Sequence, residues 1–190
     1  MMAKYNKEKI KAWQSENKEK VRLYKLKNKK ETKDKARFLI KSLKEHHCCP
    51  CGESRWYCLD FRHKDPSKKK NTVCNLIRSS YSINAIKKEI EKCEIICSNC
   101  HRLKHIKGVK TNGEKCKFVD AIKSKSCCVD CGINKQQSLD FHHIDEKTKV
   151  QGIGFMIRDK KYSLEDLKNE INKCVVVCSN CHKHRHNEGK

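Results

Sequence analysis

Four histidines near the end of the chain, His142, His143, His182 and His186, combine the residue type and spacing that a metal-dependent hydrolytic site requires. His182 and His186 fall four apart in a helical pattern, so both imidazoles share one helix face. His142 and His143 are adjacent in a strand pattern and point to opposite sides. One of them can join His182 and His186 around a divalent cation while the other stays free. Three imidazoles leave positions open for water and a phosphate oxygen. A neutral imidazole beside them has a pKa suited to activating water near neutral pH. These parts suffice for metal-assisted phosphodiester hydrolysis. The competing reading is four histidines on a polar or nucleic-acid-binding surface.

What must position these histidines is a pattern that occurs twice. The second copy runs Cys128-x2-Cys131-Gly132, then LDFHHID (139–145), then CSNCH (178–182) and His186. The first runs Cys48-x2-Cys51-Gly52, then LDFRHKD (59–65), then CSNCH (97–101) and His105. One inserted residue after Asp65/Asp145 shifts the register for Ser82/Ser163, Glu89/Glu170 and Cys93/Cys174. Two CxxC turns deliver four thiolates to one tetrahedral metal, and such closed sites hold structure and do not catalyse. The expected ligands are Cys48, Cys51, Cys97 and Cys100 in the first copy, and Cys128, Cys131, Cys178 and Cys181 in the second. That predicts two structural Zn²⁺ ions per chain. Cys49 and Cys127 sit beside a ligand; Cys48 and Cys128 are chosen because they keep both the spacing and the repeat register. Cys93 and Cys174 read as small buried residues at the start of a strand.

The order CxxCG, LDFHHID, CSNCHxxxH resembles the zinc-containing HNH endonucleases, over 128–186 well and over 48–105 less well. That resemblance implies the ββα-metal fold. It implies His143 as the general base, and His142, His182 and His186 as ligands of a catalytic divalent ion, Mg²⁺ or another metal. The family's base-orienting asparagine has no clear counterpart; Asn169 and Asn172 lie in the right interval and Asn180 lies inside the second zinc turn. The first copy departs from the pattern at Arg62, which stands where His142 stands. A guanidinium is permanently protonated and cannot ligate a metal. It can contact a phosphate instead. His63, His101 and His105 form a possible second site, with Asp60 as a substitute ligand on the Arg62 face. The expectation is a degenerate first module that grips DNA and a second module that cuts.

The bulk composition agrees with a polyanionic partner. Lys and Arg total 45 against 23 Asp and Glu, a formal net charge of +22. Such an excess favours nucleic acid over an acidic membrane surface, because no helix with a broad apolar face accompanies it. DNA is the expected partner and RNA the other candidate. Nothing in the residues argues an oligomeric state. No apolar stretch resembles a signal peptide or a membrane span, so the expected setting is intracellular. Fifteen cysteines spaced in pairs beside histidines favour metal over disulfides in that setting.

The fold class expected is α+β: two small zinc-stapled modules behind a basic arm that is either helical or disordered. The arm covers 1–35, the first module 36–105, a linker 106–115 and the second module 116–190. Short helices are expected at ARFLIKSL (36–43) and KFVDAIK (117–123). Ser82 and Ser163 begin helical patterns, the second with an approximate capping box to Asp166. CEIIC and CVVVC read as strands, and each CSNCH begins a terminal helix. A non-catalytic zinc-dependent nucleic-acid-binding protein is the alternative from another class. It accounts for the cysteines and the charge but has no need of the four histidines.

Overall fold

The computed structural model describes residues 7–105 and 113–188, so most of the expected linker lies outside the described residues. The fold is mixed α and β, with nine helices longer than a single turn among the described residues and two two-stranded sheets. The chain divides into two units that do not follow the repeat boundary. One holds residues 7–43 and 63–94, the other residues 44–62 and 95–188.

The first unit begins with helices α1 (Lys7–Glu16) and α2 (Lys18–Glu45). Both are rich in Lys and Glu, which favour helix, with no proline or glycine to interrupt them. The chain hardly breaks between them, since the Asn17 N–H donates to Trp13 O and the Val21 N–H to Asn17 O. Ion pairs one turn apart, Arg22–Glu19 and Arg37–Asp34, support the exposed surface. Ala36 is the one buried residue among those described in these helices. Among the described residues the arm is therefore helical, and the segment 36–43 lies near the end of a 28-residue helix, not in a separate short one.

The same unit contains α3 (Val73–Arg78) and α4 (Ile83–Ile90), whose first turns are capped by the Thr72 and Ser82 hydroxyls. Glu89 is 3% exposed and takes four hydrogen bonds, from His63 Nε2, Lys92 Nζ and the Lys70 and Asn71 N–H groups. A buried carboxylate needs such partners to stay charged.

The second unit carries the described second repeat and the cysteine turns of the first. Strands β1 (Leu59–His63) and β2 (Cys93–Cys97) form one sheet, and α5 (Ser98–Lys104) follows directly. After α6 (Glu114–Ser124) come β3 (Leu139–His143), α7 (Ile153–Arg158), α8 (Leu164–Ile171), β4 (Cys174–Cys178) and α9 (Ser179–Glu188). β3 and β4 pair antiparallel with Leu139 opposite Cys178, His142 opposite Val175 and His143 opposite Cys174. The Ser163–Asp166 capping box starts α8 with both of its hydrogen bonds made. Val119, Ile153, Met156, Leu167 and Ile171 bury a small apolar core, and Leu139 and Val177 close against the cysteine turn. Each large side chain so buried contributes about 1.5–3 kcal/mol.

Within this unit the two repeats meet through reciprocal contacts. The Asn99 side-chain oxygen accepts the Asn180 N–H at 3.2 Å, and the Asn180 side-chain oxygen accepts the Asn99 N–H at 3.2 Å. Both asparagines are 6% exposed. Their amide nitrogens donate to Cys178 Sγ at 3.2 Å and to Glu53 Oε2 at 3.1 Å. Tyr57 Oη lies 2.8 Å from His184 Nδ1, with the rings stacked. Removing either asparagine leaves a buried N–H with no acceptor, which costs about 1–3 kcal/mol. Urea unfolding of zinc-replete protein should show that loss for Asn99→Ala and Asn180→Ala, whereas exposed Asn187→Ala should shift stability by under about 0.5 kcal/mol.

Candidate metal centre

Each cysteine turn is shaped by backbone hydrogen bonds before any metal is considered. In the second repeat the Gly132 N–H donates to Cys128 O and the Cys128 N–H to Ile133 O, both at 2.8 Å. Gly132 has φ +74°, a conformation that glycine adopts without strain. The four sulfurs of Cys128, Cys131, Cys178 and Cys181 lie within 4.8 Å of one another, with Cys131 Sγ 3.7 Å from Cys178 Sγ. A zinc tetrahedron with Zn–S near 2.3 Å has edges of about 3.8 Å. The quartet fits zinc.

The first repeat builds an equivalent quartet from Cys49, Cys51, Cys97 and Cys100, with Cys51 Sγ 3.6 Å from Cys97 Sγ. The expected ligand Cys48 is replaced by its neighbour. The reason lies in the turn: Gly52 N–H donates to Cys49 O at 2.8 Å and Cys49 N–H to Glu53 O at 2.9 Å, the same pair of bonds that Cys128 makes. Cys49 is 2% exposed while Cys48 lies on the surface. The first turn is thus one residue shorter than the second, which the matching spacing of Cys48 and Cys128 conceals. All fifteen cysteines are free of disulfides.

Electrostatics favour a cation in both quartets. Burial pushes the Cys100 and Cys181 thiols strongly up, and hydrogen bonds to neighbouring thiols push them further. Burial acts the same way on Cys49 and Cys128, but backbone hydrogen bonds outweigh it and lower both. Clustered thiolates repel one another, and a bound divalent metal is what allows all four to ionise.

The histidines of the second repeat converge as a separate group. His142 on β3 and His182 and His186 on α9 bring their ligand nitrogens within 4.8 Å of one another. Their ring centroids form a nearly regular triangle with sides of 5.1, 5.1 and 4.9 Å. Among the described residues no hydrogen-bond partner reaches the buried His142 Nδ1, an arrangement that costs free energy unless a ligand is nearby. Burial lowers the His142 pKa, and the neighbouring imidazoles lower it further, which keeps its lone pairs available. His182 Nδ1 lies 3.5 Å from Asp140 Oδ2, and His186 Nδ1 lies 3.7 Å from Glu146 Oε1. Carboxylates behind imidazoles are the usual outer partners of metal-binding histidines. Three imidazoles, one with an orphaned nitrogen and two backed by carboxylates, fit a divalent cation.

His143 points to the other side of β3, is 8% exposed, and lines a pocket of about 280 Å³ together with His142, His182 and His186. Its Nε2 is 2.8 Å from Glu170 Oε1. Burial pushes the Glu170 carboxyl up, but bonds from Lys173, His143 and the Val150 and Gln151 N–H groups hold it down to about 2. An ionised carboxylate accepts the Nε2 proton and so leaves Nδ1 as the basic nitrogen. None of the three candidate asparagines takes this position. Asn180 is committed to the clasp with Asn99, Asn172 ends α8, Asn169 is exposed on α8, and Glu170 holds the histidine. The pairing of Glu89 with Glu170 across the repeats was the available signal.

The first repeat has a reduced version of the same site. His101 Nε2 and His105 Nε2 are 3.0 Å apart on α5. Asp60 does not reach the coordinating side, because its Oδ2 faces His101 Nδ1 at 3.8 Å and accepts from Ser98 Oγ at 2.6 Å. Among the described residues, no third metal-ligand atom joins His101 and His105. His63 belongs to the other unit, where it pairs with Glu89 at 2.8 Å. Arg62 is half-buried at the strand position that matches His142.

Comparison with protein-family models, with curated proteins and with solved structures found no match for this chain. Among the described residues, no helix is long and apolar enough to cross a membrane.

Elemental analysis separates the two readings of the first cysteine turn. Cys49→Ser should lower zinc from two ions to one per chain, and Cys48→Ser should leave both in place. The opposite pattern would restore Cys48 as the ligand.

Proposed function

We propose that this chain is a metal-dependent endonuclease whose second repeat cleaves phosphodiester bonds in DNA. The observation that carries the reading is the convergence of His142, His182 and His186 beside the Glu170-held His143, all on one pocket. The order of elements β3, β4, α9, with ligands from the first strand and the last helix, is consistent with a ββα-metal nuclease. A divalent cation at the three histidines would polarise the scissile phosphate and neutralise charge on the leaving oxygen. The chain's own residues supply the rest. Glu170 holds the His143 ring by Nε2, so that Nδ1 takes a proton from the attacking water. The resulting hydroxide forms the new P–O bond as the bond to the leaving oxygen breaks. The formal charge of +22 would draw in the phosphate backbone without reading its sequence, and that attraction should weaken with salt.

In this reading the first repeat grips and does not cut. Arg62 removes one ligand and places a cation where the metal would sit, which favours a phosphate there. The alternative, a non-catalytic zinc-dependent nucleic-acid-binding protein, draws on one feature. The same histidine–glutamate pair occurs beside Arg62, as His63 with Glu89, where no metal triad forms. Such a pair can serve packing alone.

Plasmid cleavage in Mg²⁺ or Mn²⁺ decides between them. Wild type should nick the plasmid, and His143→Ala should lose at least about a hundredfold in rate, the scale of a general base, with both zincs retained. No cleavage by wild type under a broad metal screen, or equal cleavage by both proteins, would remove the nuclease assignment. Arg62→Ala should weaken DNA binding while leaving the cleavage rate at saturating DNA unchanged.

A further inference from the structure

We propose that Arg102, a residue of the first repeat, is a positioning residue for the metal site of the second. The inference rests on the metal triad described above. Asp140 stands behind His182, and its two oxygens are divided between the repeats. Oδ2 faces His182 Nδ1 at 3.5 Å and accepts from Ser179 Oγ at 3.1 Å. Oδ1 accepts from Arg102 Nη1 at 2.7 Å. A carboxylate behind a metal-binding imidazole fixes the ring's tautomer and orientation, so that Nε2 offers its lone pair. The terminal torsion of aspartate is broad, and one oxygen alone does not fix the carboxylate plane. Arg102 fixes the second oxygen with a charge-assisted hydrogen bond. The first repeat, which shows no triad of its own among the described residues, thereby completes the outer layer of its neighbour's triad.

The repeat supplies an internal control. Lys183 of the second repeat donates to Asp60 Oδ1 at 2.8 Å, and Asp60 stands behind His101 as Asp140 stands behind His182. The two contacts are mirror counterparts, but only Arg102 faces a site with three imidazoles. A role confined to joining the repeats would make the two residues equivalent. A positioning role makes them differ.

Calorimetric titration of the zinc-replete full chain with Ni²⁺ reads this directly, with quartet zinc checked by elemental analysis before and after. Arg102→Gln should weaken Ni²⁺ binding by about 10–100-fold, the range seen when outer partners of metal ligands are lost. Arg102→Lys should recover most of that loss, and Lys183→Gln should leave the affinity within about twofold of wild type, because it faces no triad. In an Asp140→Asn background, Arg102→Gln should add nothing further. Wild-type affinity in Arg102→Gln, an equal loss in Lys183→Gln, additive losses with Asp140→Asn, or loss of quartet zinc in Arg102→Gln would each overturn the inference while leaving the triad standing. A wild type that binds no third metal would remove the triad reading itself, and this inference with it.

Discussion

Four sulfur atoms held within 4.8 Å of one another set the terms for each half of this molecule. The turns that carry them are closed by backbone hydrogen bonds, but the sulfurs can all ionise only around a cation. A repeat of this size has a small apolar core, and a four-thiolate zinc, which each quartet fits, would supply a further constraint. The consequence is geometric. The second cysteine turn ends one strand and begins a helix in both repeats, at Cys97 with α5 and at Cys178 with α9. Pinning that turn aims the helix, and the helix carries the paired histidines. The paired histidines are thus positioned by the cysteine turn that precedes their helix.

The duplication has diverged by position in an ordered way. The scaffold is kept: two quartets, two two-stranded sheets, two histidine–glutamate pairs and two helices with HxxxH spacing. The histidine side is not kept, because Arg62 stands where His142 stands. The contacts between repeats are reciprocal in form yet unequal in residue type, Arg102 on one side and Lys183 on the other. An arginine fork suits a carboxylate in a fixed plane, whereas a lysine is a point charge that tolerates rotation. The more directional residue faces the complete triad. Asn99 adds a further link, since its amide donates to Cys178 Sγ and so couples one repeat to the other's thiolate quartet.

Local elements followed closely from residue pattern where the pattern was long or capped. Ser163 with Asp166 and Ser82 with its following turn mark helix starts that need no tertiary partner, because the caps satisfy backbone donors locally. The strands ending at Cys97 and Cys178 were legible as short apolar runs between cysteines. α3 and α7 were not anticipated, because six residues span fewer than two turns and carry no readable period. The arm was ambiguous for a different reason. Its helix is polar nearly all round, so no apolar stripe marked it, and only propensity and surface ion pairs favour it.

Residue type and repeated spacing by themselves pointed to two thiolate quartets and put His182 and His186 on one helix face, since these follow from turn and helix periodicity. Tertiary structure decided the rest. It chose Cys49 over its neighbour Cys48, because adjacent identical residues differ only in which backbone carbonyl the turn closes on. It gave His143 to Glu170, 27 residues away, and not to an asparagine. It also brought Arg102 to Asp140 and Asn99 to Asn180, partners 38 and 81 residues apart. Spacing along a chain reports which side chains share a face of one element. Which elements meet, and which polar groups must then satisfy one another, is settled only when the surfaces are buried together.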